Sequence, residues 1–455
     1  MSTKHSLAAA RFLENKKQAV WHDETLWMVR QKRDKMSHSL PEWEHLRDLA
    51  SEIKLYSNSH LDSLLEEFER NAVANGAIVH WAKDADEHNR IVHEILSRHG
   101  AANLIKSKSM LTEECHMNKY LMERGIDVVE SDLGERILQL MHLLPSHIVL
   151  PAIHIKREQI SEMMEREMGT EKGNVDPTYL THAARKNLRE KFLHADIAMT
   201  GANFAVASTG EIVVCTNEGN ADMGTSFPKV HIATFGMEKI VPNLESLGVF
   251  TRLLARSGTG QPITSYTSHY RKPLNGQEFH IIIVDNGRSD ILAMPDHVKT
   301  LNCIRCGECM NTCPVYRRSG GYSYTYFIPG PIGINLAMLR DPKAYADNVS
   351  ACSLCLSCSN VCPAKVDLGE QIYKWRQTLD GIGKANPEKK LMSGGMKFLM
   401  ERPALFNTAL KFAPVANHMP RFMLYNSLNA WGKGRELPTF AKESFNELWK
   451  KNKVK

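Results

Sequence analysis

The plainest chemistry in this chain of 455 residues belongs to eight of its ten cysteines, which crowd between Cys303 and Cys362. Cys303-Ile-Arg-Cys306-Gly-Glu-Cys309-Met-Asn-Thr-Cys313-Pro314 is followed by Cys352-Ser-Leu-Cys355-Leu-Ser-Cys358-Ser-Asn-Val-Cys362-Pro363, and both read C-x2-C-x2-C-x3-C-P. Three thiolates at intervals of three on a tight loop can reach three irons of one cubane, whereas the fourth lies too far round and serves the other cluster. By that logic Cys303, Cys306, Cys309 and Cys362 hold one [4Fe-4S] cluster, and Cys352, Cys355, Cys358 and Cys313 hold a second. The prolines then turn the chain away and leave no N–H needing a partner. Zinc, the competing occupant, usually takes two separated C-x2-C pairs and needs neither a third cysteine nor a C-P step. No ligand is missing from either copy, so both clusters are expected to be cubanes. Two clusters on one scaffold suit the relay of single electrons, with a structural or sensing role as the weaker reading.

Other residues carry less. Cys115 and Cys215 stand alone in unrelated sequence and read as buried apolar fillers. The twenty histidines show no H-E-x-x-H or other tight ligand spacing, and His93 and His99 stand at the wrong interval. Gly258-Thr-Gly260 lacks the third glycine of a dinucleotide fingerprint, so nothing argues for NAD. The N-terminus has too short an apolar run before Arg11 for a secretory signal, and no stretch approaches the roughly 18 to 20 apolar residues of a membrane span. The expected compartment is the cytosol, where thiols stay reduced and disulfides are disfavoured.

The cysteines need a scaffold, and the hydrophobic rhythm supplies its outline. Residues 1–70 alternate charged and apolar positions at helical spacing, with a break at Pro41, and predict a helical N-terminal extension. Residues 71–294 alternate short β-branched runs with amphipathic helices. Strands are expected at Ala77–His80, Asn103–Ile105, Ile126–Val129, His147–Leu150, Ala195–Thr200, Gly210–Thr216, Lys229–Phe235 and His280–Asp285. Between them fall helices to about Arg98 and Arg124, from Arg136 to Leu143, from Lys156 to Lys191 and from Leu244 to Arg256. That order predicts an α/β domain with a mostly parallel sheet and a hairpin near Ser208. Residues 295–383 form the cysteine-bearing unit, with a helix from Gly333 to about Asp347 between the motifs. Residues 384–455 form a helical tail carrying 14 Lys and Arg against 5 acids, a local +9 that leaves about −3 for the rest of a chain of net +6.

Within the α/β domain, Glu130, Asp132, Glu135, Glu211 and Glu218 sit near glycine-rich turns, where ligands commonly bind in such sheets; loop turns and caps explain them equally well. Lys106-Ser-Lys108 running to Thr112 can form an anion-binding strand-to-helix turn with Thr112 as N-cap. The tail mixes basic residues with aromatics, among them Phe398, Phe412, Phe422, Trp431, Phe445 and Trp449. It suits docking to an acidic partner or an anionic membrane surface. Without a recognised module, nucleic-acid binding is not expected.

The 39-residue step between the motifs resembles the helical ferredoxin domains of succinate dehydrogenase iron-sulfur subunits and of the small heterodisulfide reductase subunits. A wider resemblance rests on Thr200-Gly-Ala-Asn-Phe-Ala-Val-Ala-Ser-Thr-Gly-Glu211 in the α/β domain, on Gly330-Pro-Ile-Gly333 between the motifs, and on the order of parts. Over essentially the whole chain it resembles the lactate-utilisation iron-sulfur protein B family. The resemblance implies a cytoplasmic, multi-subunit system oxidising L-lactate to pyruvate, with this chain as its cluster-bearing subunit. It implies further subunits as partners and an unidentified electron acceptor; a membrane-linked acceptor and a peripheral place at the membrane's inner face are options that the basic tail leaves open. It also implies an α/β domain related to the sugar-isomerase and CoA-transferase superfamily, although no local motif fixes a catalytic glutamate. A self-contained 2-hydroxy-acid oxidoreductase and an iron-sulfur sensor are the alternatives.

Overall fold

The computed structural model describes residues 4–382, 387–425 and 438–453. Its strands are β1 (Ile78–Ala82), β2 (Asn103–Lys106), β3 (Asp127–Glu130), β4 (Ile197–Gly201), β5 (Phe204–Val206), β6 (Glu211–Thr216), β7 (Val230–Gly236), β8 (Ile240–Val241), β9 (Tyr266–Tyr270) and β10 (Glu278–Val284). Six of them form a wholly parallel sheet in the order β1-β10-β7-β4-β2-β3, and four form a smaller sheet in the order β8-β5-β6-β9. The parallel sheet follows from near-continuous apolar runs such as His280-Ile-Ile-Ile-Val284, which need cover on both faces. Ile282 and Val284 pack with Val92, Leu96 and Leu104 on one side. Ile281 and Ile283 pack with Phe68 and Phe235 on the other, as the two-residue period of a strand requires. The expected hairpin is the antiparallel pair β5 and β6, while the small sheet's edges β8 and β9 lie in segments where no element was expected.

Some expected boundaries shift for local reasons. His147–Leu150, expected as a strand, is a loop: the His147 Nδ1 accepts the N–H groups of Val149 and Leu150, both at 3.0 Å, which bends the chain instead of extending it. The helix expected to run to Arg124 is interrupted at His116, whose φ of 52° separates Met110–Glu114 from Met117–Met122. The charged stretch after Lys156 is two helices, Arg157–Met168 and Pro177–Leu193, the first stopped by left-handed Gly169. The helix between the cysteine motifs runs over Gly330–Arg340, ends at the Asp341-Pro342 step, and a short turn of helix follows over Ala346–Ala351.

The N-terminal helices are Lys4–Glu14, Lys16–His38, Trp43–Ser59 and Leu61–Ala74. They belong to one compact unit, Met1–Gln377, that also contains the sheets and the cysteine loops. Thr378–Lys455 is a second compact unit with helices Pro387–Met400, Pro403–Phe412 and Phe445–Lys450; Trp431 lies outside the described residues. Among the described residues no helix is long and apolar enough to cross a membrane.

Candidate iron-sulfur centre

The two motifs repeat in backbone conformation as well as in sequence. Arg305 and Leu354, each two residues after the first cysteine, both have positive φ (60° and 53°), and so do Gly307 and Leu356 two residues later (83° and 61°). Each of these turns aims an N–H at a sulfur: Arg305 N–H lies 3.4 Å from Cys303 Sγ, and Leu354 N–H lies 3.3 Å from Cys352 Sγ. A short helix follows in each copy, Glu308–Thr312 and Ser357–Val361, and the two helices pack on each other. The fourth cysteines accept N–H groups too, Cys313 from Tyr316 at 3.5 Å and Cys362 from Val366 at 3.4 Å. Left-handed backbone at a non-glycine residue costs about 1–3 kcal/mol and persists where surroundings enforce it. Here it converts backbone donors into a lining for anionic sulfur.

Proximity follows the crossed pattern. The Cys362 thiol is pushed up to about 11, by burial first and then by Cys303, while the N–H groups of Val366 and Ala364 oppose the shift. Cys306 is raised by burial and by Cys362. In the other copy Cys313 is pushed up to about 11 by burial with a contribution from Cys352, and Cys358 is raised by burial and by Cys313, Cys352 and Cys355. Cys362 therefore neighbours Cys303 and Cys306, and Cys313 neighbours Cys352 and Cys358, each across to the other motif. Cys309 also feels Cys358, so these two stand where the groups face each other.

The donor set fits iron-sulfur cubanes. Burial favours the neutral thiol at Cys306, Cys309, Cys313, Cys352, Cys358 and Cys362, so these become thiolate ligands only beside a strong positive charge such as iron. All eight are free of disulfides. Among the described residues no three cysteine sulfurs approach within 4.8 Å of one another.

The N-terminal helices hold these loops in place. Arg33 donates to the Val361 carbonyl at 3.0 Å, and Arg47 donates to the carbonyls of Cys362 (3.0 Å) and Asn360 (2.7 Å). Glu308, fully buried beside Cys309, faces Arg30 and Arg33 at 3.4 and 3.9 Å. Asn58 bonds Asn302 at 2.9 Å, just before the first cysteine. On the sheet side, Lys239 donates to the Cys303 carbonyl at 3.4 Å. Nothing in the sequence near residues 30–58 signals this clamping, because each bond spans more than 240 residues of chain.

The other candidates separate. Cys115 is buried in the sheet core as expected, whereas Cys215 is half-buried and lines a cavity; burial pushes both thiols up to about 12. Glu130 pairs with buried Lys106 at 2.6 Å, and Glu211 pairs with His269 at 2.8 Å. Asp132, Glu135 and Glu218 come together with Lys108: Lys108 Nζ sits 2.9 Å from Glu135, the Lys108 N–H donates to Asp132 at 2.5 Å, and all four line one cavity. The cap of the turn after β2 is Ser109, which accepts from the Thr112 N–H, so Thr112 is not the N-cap. His99, Glu278 and His280 converge with ligand atoms within 4.8 Å, a grouping invisible to local spacing because His99 is 179 residues from Glu278 in the chain.

Comparison with known proteins agrees with this geometry. Residues 65–290 match the LUD domain, 299–366 a 4Fe-4S dicluster domain, and 376–454 the C-terminal region of lactate utilisation protein B. A lactate utilization protein B from Bacillus pumilus is 42% identical over 92% of this chain and 91% of its own length. One from Shouchella clausii is 40% identical over 90% and 89%. An Escherichia coli protein described as the uncharacterized electron transport protein YkgF is 38% identical over 93% and 91%. With its cysteine loops, its parallel sheet and relatives of this similarity along nearly its whole length, the chain belongs to the lactate utilization protein B family.

Proposed function

We propose that this iron-sulfur lactate-utilisation protein is the electron-relay subunit of a multi-subunit system that oxidises L-lactate to pyruvate. It would carry two [4Fe-4S] clusters, one on Cys303, Cys306, Cys309 and Cys362 and one on Cys352, Cys355, Cys358 and Cys313. The observation that carries this reading is the crossed nearness of Cys362 to Cys303 and Cys306 and of Cys313 to Cys352 and Cys358. When bound, such clusters accept and release electrons singly, which divides the two-electron oxidation of a 2-hydroxy acid into one-electron steps.

The chain's own residues set the conditions for that relay. Backbone N–H groups of Arg305, Leu354, Tyr316 and Val366 point at ligand sulfurs, and hydrogen bonds of this kind tune a cluster's potential. Cys355 is exposed beside exposed Leu356, which supports electron exchange at that edge. Exposed Phe398, Phe412, Phe445 and Trp449 among the lysines of the C-terminal unit support docking to an acidic partner subunit or to the inner face of an anionic membrane. The relatives' names, lactate utilisation and electron transport, favour the relay over a self-contained oxidoreductase or a sensor.

Iron and acid-labile sulfide analysis, with EPR of anaerobically purified protein before and after dithionite, tests this reading. About eight irons and eight sulfides per chain with a spin-coupled reduced signal are expected. Lactate should reduce the clusters when partner subunits are present. Zinc in place of iron, or no bound metal, overturns the proposal.

A further inference from the structure

A cavity of about 630 Å³ lies where the loops after β2 (Ser107–Leu111) and β4 (Gly201–Asn203) diverge, and its lining includes Cys306 and Arg305. This is the switch point of the parallel sheet. From β2 the chain crosses to β3 at one edge, and from β4 it later moves to β7 on the other side, so the loops at their carboxyl ends part and leave a crevice. Gly201 keeps that crevice narrow at its base, since a Cβ there would sit 2.6 Å from Ser109 Cβ and Oγ. The volume is that of a small-molecule site. None of the carboxylates along its rim was assigned a role by the cysteine chemistry.

The charges on its wall are not all satisfied. Arg288 is neutralised by Glu114, 2.9 Å away, and by Glu238 at 2.5 Å; Lys108 is taken by Glu135. Glu114 and Glu238 together balance Arg288 and one further cation, so one positive charge of the pair Lys239 and Arg305 is in excess. Lys239 has only the 3.4 Å contact to the Cys303 carbonyl, with no carboxylate within ion-pair distance among the described residues. Arg305 reaches Glu238 only at 3.9 Å, and its buried Nη1 has no hydrogen-bond partner. A buried donor without an acceptor costs about 1–3 kcal/mol and calls for one. On the rim, Asp132 is held up at about 7 by burial and by Glu135, which lets it donate a proton to a ligand oxygen near neutral pH.

We propose that this cavity binds a small carboxylic acid bearing an oxygen on the carbon next to the carboxylate, with Lys239 and Arg305 taking the carboxylate and Asp132 meeting the neighbouring hydroxyl or carbonyl. This deepens the lactate-utilisation reading and rests on it: the substrate or product would bind on this chain, against the loop that carries Cys306. The inference concerns binding alone.

Pyruvate is the probe, because without a reductant it cannot be turned over, and propionate is the control that lacks the second oxygen. Calorimetry and thermal unfolding are run on anaerobically purified protein whose iron content is measured on the same sample. Pyruvate should bind saturably at one site per chain and raise Tm, with propionate at least tenfold weaker. Lys239→Met should weaken pyruvate binding at least tenfold and Lys239→Arg should recover part of it. Should Lys239→Met lose iron, Arg305→Met at the same wall replaces it with the same expectation. Absence of saturable binding to fully loaded wild-type protein overturns the inference while leaving the relay function standing, and assigns the spare donors to cluster sulfur. Undiminished binding in both variants overturns it as well, whereas missing iron in the wild type would fell the relay reading itself.

Discussion

Arg47→Met probes how the N-terminal helices secure the cysteine loops. Arg47 is 8% exposed and donates to the carbonyls of Cys362 and Asn360 at 3.0 and 2.7 Å, while its remaining nitrogen meets the mostly exposed Glu44. The Glu44 pair is worth little in water. Each hydrogen bond from a charged donor to a buried carbonyl contributes about 1.5–3 kcal/mol, so the two lost bonds cost at least about 3 kcal/mol, since methionine fills the space but supplies no donor. Because loss of clusters makes unfolding irreversible, the readout is a rate, and 3 kcal/mol corresponds to about a hundredfold. The assay is bleaching of the iron-sulfur absorbance in moderate guanidinium with an iron chelator. Release should become biphasic, and the fast half should be the cluster of the first motif, because in the proposed ligation Cys362 serves that cluster although it lies in the second motif. EPR of the partly bleached sample identifies the surviving cluster. A variant that bleaches at the wild-type rate, or that loses the second motif's cluster first, refutes the reasoning.

Crossed ligation has its own signature in double substitutions: Cys313→Ser with Cys355→Ser should leave about four irons per chain, whereas Cys313→Ser with Cys306→Ser should leave almost none, and ligation within each motif would reverse the two results in iron analysis. Gly333→Ala, at a position where a Cβ would fall inside the Ile328 carbonyl oxygen, should destabilise the linking helix by about 3 kcal/mol and lower iron retention after purification, as measured by the iron-to-protein ratio. Asp132, raised from 3.8 to about 7 by burial and by Glu135, binds a proton in the folded state that the unfolded chain has released. Unfolding should therefore quicken as pH rises between about 4 and 7, by up to the equivalent of about 4 kcal/mol, and Asp132→Asn should flatten that slope in unfolding rates measured in denaturant at pH 5, 6, 7 and 8.

How far the sequence reaches depends on the range of the interaction. The two C-x2-C-x2-C-x3-C-P motifs are local patterns, and local backbone turns with N–H groups aimed at sulfur follow directly from them; the nearness of Cys362 to Cys303 and of Cys313 to Cys352 was legible because three residues of a short helix cannot bring the fourth sulfur back. The runs at Ile281–Val284 and Val230–Phe235 announced buried parallel strands through composition alone. His147–Leu150 has the same apolar character and misleads, because a histidine ring nitrogen there captures two backbone N–H groups that a strand would have given to a neighbour. Thr112 misleads similarly, since Ser109 reaches the free N–H first.

The sequence by itself determined the twin cysteine motifs, the parallel α/β layer and the family, since each depends on residue type at short spacing or on periodicity. Only the tertiary structure decided that helices from the first sixty residues grip the cysteine loops, that Asp132, Glu135, Glu218 and Lys108 share one cavity while Glu130 and Glu211 are spent on Lys106 and His269, and that Cys306 lines this cavity. Those are contacts between side chains tens to hundreds of residues apart. They exist only once the sheet order fixes which loops diverge and which helices cover them, and no local pattern records that order.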